Sequence, residues 1–189
     1  CNVDTIQLLG SKYVLLRKEF LKYKNWKRTT TSKANKVLVT LGGGDPDNVT
    51  LKVINALNRI PGSDLNFKVV IGPANPNVES LKKELVFSKF RFDILNFAKN
   101  MPELMIWADV AISAGGSTCW ELCYFGVPFI VIILAENQWD IGKGLDSMGA
   151  AKCLGWHKDV SSIHILKSLL DILNNNSKSE SMSRLGQDL

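Results

Sequence analysis

A glycine pair followed by two hydroxyl side chains and a carboxylate is the stretch of this sequence best suited to chemistry. Residues 108–121 read Ala-Asp-Val-Ala-Ile-Ser-Ala-Gly-Gly-Ser-Thr-Cys-Trp-Glu, a pattern typical of a strand, a tight turn and the start of a helix. Because the first N–H groups of a helix are unpaired and lie at the positive end of its dipole, residues 115–118 can hold a phosphate or diphosphate. Glu121 follows one turn later, where a carboxylate can accept hydrogen bonds from ribose hydroxyls.

The same stretch also fits a purely structural role. Strand, glycine-rich turn and helix recur in most α/β domains, and Ser or Thr followed by Glu is an ordinary capping pattern. A single glycine-rich turn is a weak functional signal. Both interpretations predict a helix start at Ser117 or Thr118, and the choice between them depends on the rest of the chain.

Strand and helix patterns alternate on both sides of this stretch. The alternation predicts an α/β fold with a Rossmann-like, doubly wound parallel sheet and right-handed crossovers. Strands are predicted at residues 37–41, 67–71, 91–95, 109–113 and 129–134 and around 151–154, and helices at 49–57, 78–86, 100–107, after 117, at 138–148 and at 161–173.

Three glycine-containing or amide-rich segments follow predicted strands: residues 42–45, 115–118 and 136–138. In doubly wound sheets the ligand lies at the carboxyl ends of the strands, so these segments are expected to share one edge. Neither a G-x-G-x-x-G fingerprint nor a P-loop is present in the sequence. The pattern therefore favours a nucleoside diphosphate carried by a sugar over a dinucleotide or a nucleoside triphosphate.

Composition and charge limit the possible classes of protein. The chain has 189 residues, 46% of them hydrophobic, which is enough to bury the core of one α/β domain. It has no apolar run of about 18 residues, so no membrane span is expected. The net charge is +5, with basic residues concentrated in residues 17–36, but no nucleic-acid-binding module accompanies them. We therefore expect no nucleic-acid partner.

The four cysteines do not form a metal-binding pattern. Cys119 and Cys123 are four residues apart on the predicted helix after the glycines, which favours packing over zinc binding or a disulfide. We expect no metal and no cofactor. A reducing, cytoplasmic location fits this cysteine usage.

The two ends of the chain differ from its middle. The sequence begins at Cys1 without a Met or a signal peptide, so a piece of a longer protein or a processed chain is expected. Residues 1–35 are predicted to be an interdomain segment from a missing N-terminal domain, and residues 36–173 a nucleotide-sugar-binding domain. Residues 174–189 are Asn- and Ser-rich and are predicted to form a tail in which residues 182–185 add a helical turn.

Several of these segments resemble one enzyme family. Residues 108–121, Gly126-Val-Pro, residues 134–138 (Leu-Ala-Glu-Asn-Gln), residues 8–20 and the loop 41–46 are similar to the C-terminal half of UDP-2,4-diacetamido-2,4,6-trideoxy-β-L-altropyranose hydrolase, an enzyme of pseudaminic acid synthesis. That family is similar in fold to GT-B glycosyltransferases, including the UDP-N-acetylglucosamine transferase that makes lipid II. The likeness covers residues 8–160 and implies a GT-B C-terminal domain type.

The resemblance implies a UDP-sugar ligand and a set of contacts. The diphosphate would be held by residues 115–118, and the ribose by Glu121. Uracil, the hexose and the border of the cleft would each have their own residues. The residues implied for uracil are Phe97, Ala98 and Met101, and those implied for the hexose are Asn137, Gln138 and Asp45. Gly43 and Gly44 would border the cleft with Asp45 and contact the nucleotide diphosphate, together with Gly115, Gly116, Ser117 and Thr118.

No catalytic residue is expected in this chain. The family's general base is a histidine of the N-terminal domain. The N-terminal domain of the same enzyme is therefore the expected partner of this chain. His157 and His164 have no nucleophile paired with them in the pattern, and His164 is expected to lie at the surface. The prediction is UDP-sugar binding by a hydrolase domain; the alternatives are the donor-binding domain of a glycosyltransferase and a non-catalytic sugar-nucleotide-binding module.

Overall fold

The computed structural model describes residues 10–29, 31, 33–62, 64–86, 88–96, 98 and 100–189. Its centre is a sheet of six parallel strands in the order β3-β2-β1-β4-β5-β6. This is the strand order of a doubly wound Rossmann-type sheet, so the predicted fold class is confirmed. The strands are β1 (Lys36–Thr40), β2 (Asn66–Ile71), β3 (Phe92–Asn96), β4 (Val110–Ala114), β5 (Phe129–Ile133) and β6 (Lys152–Trp156).

Helices cover both faces of this sheet, and each strand after the first is reached through a helix. Short 3₁₀ helices occur at Ser11–Tyr13, Lys18–Tyr23 and Glu136–Gln138. The α-helices are α1 (Val49–Leu57), α2 (Val78–Val86), α3 (Met101–Trp107), α4 (Thr118–Tyr124), α5 (Trp139–Ser147), α6 (Ser162–Leu173) and α7 (Asn176–Gln187).

Alternate side chains of the central strands fill two separate apolar cores. Val37 and Val39 of β1 point into the core beneath α1, α2 and α6, whereas Leu38 points into the core beneath α3, α4 and α5. All three are fully buried, as expected for a strand covered on both faces. Since α1 leaves β1 towards one face and α4 leaves β4 towards the other, the loops after these strands diverge and open a crevice.

The described part of residues 10–35 packs against the domain through aromatic side chains. Phe20 and Tyr23 each lie with their ring centroids 5.4 Å from that of Phe125, and Trp26 lies at 6.3 Å. Phe20 is fully buried. Residues 1–9 lie outside the described residues, and the origin of the segment in another domain stays a prediction.

Arg28 fastens the same segment to the ends of two helices. Its guanidinium donates hydrogen bonds to the carbonyl oxygens of Met105 at 2.7 Å, Ala108 at 2.8 Å and Phe125 at 2.8 Å. Carbonyls at helix ends lack partners within their helix, so one planar cation satisfies three of them. Burial lowers the pKa of Arg28 to about 10.

The C-terminal tail forms a complete helix rather than the single turn expected. Asn175 caps α7 by accepting a hydrogen bond from the N–H of Lys178 at 3.0 Å. Met182, Ser183 and Gly186 are buried. A Cβ on Gly186 would lie 3.3 Å from the Cα of Cys123, so the absence of a side chain allows α7 to pack closely on α4.

Candidate functional site

A cleft of about 480 Å³ opens at the carboxyl edge of the sheet, between the loops that follow β1 and β4. This is the point where the strand order reverses, and ligands of doubly wound sheets bind there. The segment after β5 forms its third wall, so the three segments expected to share one edge do so. Lining residues are Thr40, Leu41, Gly42, Gly43, Gly44, Asp45, Pro46, Asp47, Val49, Ser113, Ala114, Gly116, Ser117, Thr118, Leu134, Ala135 and Gln138.

A larger, more open depression of about 790 Å³ lies at the opposite edge. It is bordered by the residues preceding β1 and β2 and by the turn between α6 and α7. Lys33 and Asp64 at its rim are paired with each other at 3.0 Å. Because ligands of this fold bind at the carboxyl ends of the strands, the smaller cleft is the candidate site.

The glycine loop after β1 is held by close backbone packing. Gly42 has φ +90°, a conformation that favours glycine. The carbonyl of Gly43 accepts a hydrogen bond from Ala74 N–H at 3.0 Å, and a Cβ on Gly72 would lie 2.3 Å from that carbonyl oxygen. Gly43 and Gly44 are exposed and border the cleft, which is where the sequence placed them.

Asp45 also lines the cleft, but its carboxylate caps α1. Its two oxygens accept hydrogen bonds from the N–H groups of Val49 and Thr50, each at 2.7 Å, and the residue is only 2% exposed. Both oxygens are thus turned towards the helix start. The predicted contact of Asp45 with a sugar stays a prediction, and capping is the role that the geometry gives it.

The start of α4 presents unused hydrogen-bond donors to the cleft. Among the described residues, the N–H groups of Gly116, Ser117 and Thr118 have no acceptor. The predicted helix start is correct, with Ser117 in the N-cap position, but its side chain makes no capping hydrogen bond and is exposed. The Gly115 N–H, by contrast, donates to Gln138.

Gln138 is held in one orientation by the backbone. Its Oε1 accepts hydrogen bonds from Gly115 N–H at 3.1 Å and from Leu134 N–H at 2.9 Å. Two donors on one side fix the oxygen there and leave the amide NH₂ group for a ligand. Gln138 can therefore donate to a ligand but has no free amide oxygen on that side to accept from it. Asn137 is exposed and is not among the residues that line the cleft.

Glu121 is buried under an arginine from the start of the chain. Its carboxylate oxygens accept from Arg17 Nε at 2.7 Å and from Arg17 Nη2 at 3.0 Å. The Glu121 side chain is 7% exposed and that of Arg17 46%. The hydrogen bond to Glu121 raises the pKa of Arg17. Arg17 was not predicted as a site residue, although it lies within the resembling segment 8–20; the ribose role of Glu121 stays a prediction.

The residues proposed for uracil lie apart from the cleft lining. Met101, the first residue of α3, is 7% exposed and packs in the core shared with α4. Ala98 is partly buried against the same core. Phe97 lies outside the described residues. The uracil contacts therefore stay predictions.

A histidine that sequence analysis set aside lies next to the cleft. His157 is 3% exposed, and its Nε2 lies 3.7 Å from Oδ2 of Asp47, a cleft-lining residue. The backbone N–H of His157 donates to the carbonyl of Ile133 at 2.9 Å, which fixes the end of β6 to β5. His164 is exposed on α6, as expected.

The cysteines behave as packing residues. Cys119 and Cys123 are free and buried in the core beneath α4. Burial raises the pKa of the Cys119 thiol and raises that of Cys123 to about 12. In the described part of the chain, no cluster of histidine, cysteine and acidic side chains has a metal-binding arrangement. None of the described helices is long and apolar enough to cross a bilayer.

Comparison with known sequences identifies relatives of this arrangement. Residues 26–187 match the glycosyltransferase family 28 C-terminal domain. The chain is 32% identical over 147 residues to the spore coat polysaccharide biosynthesis protein SpsG of Bacillus subtilis, covering 77% of this chain and 43% of that protein. It is 27% identical over 161 residues to the Oenococcus oeni UDP-N-acetylglucosamine--N-acetylmuramyl-(pentapeptide) pyrophosphoryl-undecaprenol N-acetylglucosamine transferase, covering 81% and 43%. The chain thus spans less than half the length of these relatives.

Solved structures share the fold at low identity. MurG of Acinetobacter baumannii superimposes with a TM-score of 0.70 at 20% identity, over 84% of this chain and 46% of that one. The MnaA–UDP co-structure from S. aureus gives a TM-score of 0.63 at 15% identity, over 92% of this chain and 46% of that one. These likenesses establish a GT-B-type domain architecture.

Proposed function

The chain belongs to the glycosyltransferase family 28 C-terminal domain family, and on that basis we propose that its cleft binds a sugar nucleotide, with a UDP-sugar as the ligand. The observation that carries the proposal is the set of unused N–H donors at the start of α4, which line a cleft at the reversal point of the sheet. The chain would be the donor-binding half of a glycosyltransferase.

The diphosphate is assigned to the backbone at the start of α4. None of the described residues that line the cleft is Lys or Arg, so the N–H groups of residues 116–118 and the helix dipole would have to meet its negative charge. The free hydroxyls of Ser117 and Thr118 can add donors. Gly115 leaves this set because its N–H is used by Gln138.

The other parts of the ligand follow from the positions around the diphosphate. The sugar extends towards Gln138, whose NH₂ group donates to a sugar or phosphate oxygen. Ribose is assigned to Glu121, one turn along α4. Asn137, Asp45 and the glycine loop at Gly43 and Gly44 would border the sugar; Phe97, Ala98 and Met101 would hold uracil.

The chemistry proposed for the whole protein is transfer of the sugar from its diphosphate. An acceptor oxygen attacks the anomeric carbon, the bond from that carbon to the diphosphate oxygen breaks, and UDP leaves with the electron pair. The N–H groups at the start of α4 would stabilise the charge on the leaving diphosphate, since they are fixed before the reaction. An N-terminal domain of the same enzyme would bind the acceptor, and a general base of that domain would take the proton of the acceptor hydroxyl.

Names of relatives agree with this assignment at the level of chemistry. One is a transferase of N-acetylglucosamine from a UDP-sugar and another a polysaccharide biosynthesis protein. A structural neighbour was solved with UDP. Sugar transfer for polysaccharide synthesis in the cytoplasm is the role that we propose here.

Calorimetric titration of the full chain with UDP, CDP and UDP-N-acetylglucosamine tests the binding proposal. We expect the uridine ligands to bind, without added metal and unchanged by magnesium, because backbone donors rather than a cation hold the diphosphate. If CDP bound as tightly as UDP, the assignment of uridine as the nucleoside would be contradicted. Absence of binding by every nucleotide would contradict the proposal.

A hydrolase is the second candidate, favoured by the residues Gly-Gly-Ser-Thr-x-Trp-Glu at 115–121 and Asn-Gln at 137–138, which resemble the pseudaminic acid pathway enzyme. Here water replaces the acceptor hydroxyl and a free sugar is released with UDP. Supplying a candidate N-terminal domain and analysing the products separates the two: free sugar without acceptor supports hydrolysis, and product formed only with acceptor supports transfer. A non-catalytic binding module would form neither product with any such domain.

A further inference from the structure

Arg17 and Glu121 form an ion pair between the segment that precedes the sheet and the helix that follows the glycines. Two guanidinium nitrogens contact two carboxylate oxygens, at 2.7 and 3.0 Å, across a sequence separation of 104 residues. The planar guanidinium therefore meets the carboxylate edge to edge, which fixes its plane as well as its position. Arg17 Nη1 also lies 3.0 Å from Oε1 of Glu19.

Neighbouring contacts hold Arg17 at this place. The Phe20 ring lies 5.3 Å from the Arg17 guanidinium carbon and is fully buried against Phe125. Tyr124 of α4 donates its hydroxyl hydrogen to the carbonyl of Phe20 at 3.4 Å. The segment is thus anchored on the same helix that carries Glu121. This packing places Arg17 beside Glu121.

We propose that Arg17 is a positioning residue for nucleotide binding: it holds the Glu121 carboxylate in the orientation that accepts the ribose hydroxyls. The inference rests on the proposed function, because it takes the ribose assignment of Glu121 as its premise. Each carboxylate oxygen has a second lone pair, so Glu121 accepts from ribose while paired with Arg17. A segment outside the predicted nucleotide-binding domain then forms part of its site.

Charge gives Arg17 a second effect on the same site. Glu121 lies one helical turn from the N–H groups assigned to the diphosphate, and an unpaired carboxylate there would repel that anion. Pairing with Arg17 offsets part of that charge, since the same guanidinium also contacts Glu19. The Arg17 side chain is 46% exposed but that of Glu121 is 7% exposed, so loss of Arg17 leaves a buried carboxylate without its donor and is expected to lower stability as well as ligand affinity. The positioning role is therefore tested by the difference between two ligands bound to the same folded variant.

The test compares UDP with a UDP analogue that lacks both ribose hydroxyls. Calorimetric titration of the full chain is repeated for Arg17→Ala, Arg17→Lys and the neighbouring control Lys18→Ala, with thermal melting to confirm folding. Arg17→Ala is expected to weaken UDP about tenfold, the scale of one hydrogen bond to a charged group. It should weaken the analogue less than UDP, because the analogue has no ribose hydroxyl to donate to Glu121 and is affected only by the charge of the unpaired carboxylate.

The remaining variants sharpen the comparison. Arg17→Lys keeps the charge but loses the two-point contact, so it should regain analogue affinity more fully than UDP affinity. Lys18→Ala should match the wild type with both ligands. Equal losses for UDP and the analogue in Arg17→Ala, or no loss for either, would overturn the positioning role. A wild-type chain that binds no UDP would instead contradict the proposed function.

Discussion

Oε1 of Gln138 lies 3.1 Å from the backbone nitrogen of Gly115 and accepts its hydrogen bond. This contact joins the segment after β5 to the turn after β4, and the N–H of Leu134 donates to the same oxygen at 2.9 Å. Gly115 is thereby withdrawn from ligand binding: it is not among the residues that line the cleft, although it joins two segments that border it. The donors left for an anion are those of residues 116–118.

Replacing Gly115 with alanine should disturb the contact between Gly115 and Gln138. Its Cβ would lie 2.9 Å from both the Cβ and the carbonyl oxygen of Gln138, which is too close for a backbone neighbour to accommodate freely. We expect a loss of about 1–3 kcal/mol in the free energy of unfolding, the range for overpacked sites. Urea denaturation measures it.

Gly116→Ala provides the matched control, because a Cβ there would meet no atom within 4 Å. Its unfolding free energy should stay within about 0.5 kcal/mol of the wild type. If both variants lost the same stability, the close contact between Gly115 and Gln138 would not be the cause.

The amide oxygen of Gln138 should affect the stability of the fold, and its NH₂ group should affect ligand binding. Gln138→Ala removes the acceptor of two backbone N–H groups and is expected to lower the unfolding free energy by about 1–3 kcal/mol. It also removes the donor to the sugar, so UDP-N-acetylglucosamine should weaken while UDP is spared. Titration with both ligands and urea denaturation check the two effects.

Gln138→Glu separates these two effects. A carboxylate oxygen can accept the same backbone hydrogen bonds but has no N–H to donate. Stability should therefore exceed that of Gln138→Ala, while sugar-nucleotide binding stays weak. Strong binding of UDP-N-acetylglucosamine by Gln138→Glu would contradict the donor role.

Arg28 should contribute strongly to the stability of the N-terminal segment. Arg28→Met leaves three carbonyl oxygens without their donor, and we expect a loss of about 2–4 kcal/mol in the free energy of unfolding. Lys27→Met, at an exposed neighbouring position, should cost less than about 0.5 kcal/mol. Comparable losses in both variants would mean that the three hydrogen bonds contribute little.

The buried thiols should make the protein less stable in alkali. Burial raises the pKa of Cys123 from 9.0 to about 12, so above pH 9 the unfolded chain releases a proton that the folded chain retains. The free energy of unfolding must then fall as pH rises, by up to about 1.4 kcal/mol per pH unit for one thiol. Cys123→Ala should show a shallower fall between pH 9 and 11 by urea denaturation; an unchanged slope would contradict the shift.

Local patterns were sufficient to predict the sheet and its helices. Val37, Val39 and Leu38 belong to an uninterrupted apolar run, and the glycines after β1 and β4 end their strands. Such signals lie within a few residues of one another. The shared edge of the three ligand segments followed from the rule for parallel sheets and was correct.

The remaining contacts depend on residues far apart in the chain. Nothing near Arg17 indicates that it pairs with Glu121, because their proximity depends on Phe20 packing against Phe125. The resemblance implied a sugar contact for Asp45, but only the bend of the chain into α1 shows that both its oxygens cap the helix.

The tail was underpredicted for a similar reason. Residues 174–181 are rich in Asn and Ser, which have low helix propensity. Packing of Gly186 on Cys123 and burial of Met182 stabilise α7 from outside the segment. No property of the local sequence carries that information.

Titration of UDP into Ser117→Asp and Ser117→Asn variants tests most directly whether the start of α4 binds the diphosphate. Both residues are good N-caps, so the fold should be retained, and Ser117 makes no capping bond that either would lose. The proposal predicts that Ser117→Asp weakens UDP at least about tenfold by charge repulsion, while Ser117→Asn binds close to the wild type. Unchanged UDP affinity in a folded Ser117→Asp variant would show that the diphosphate binds elsewhere.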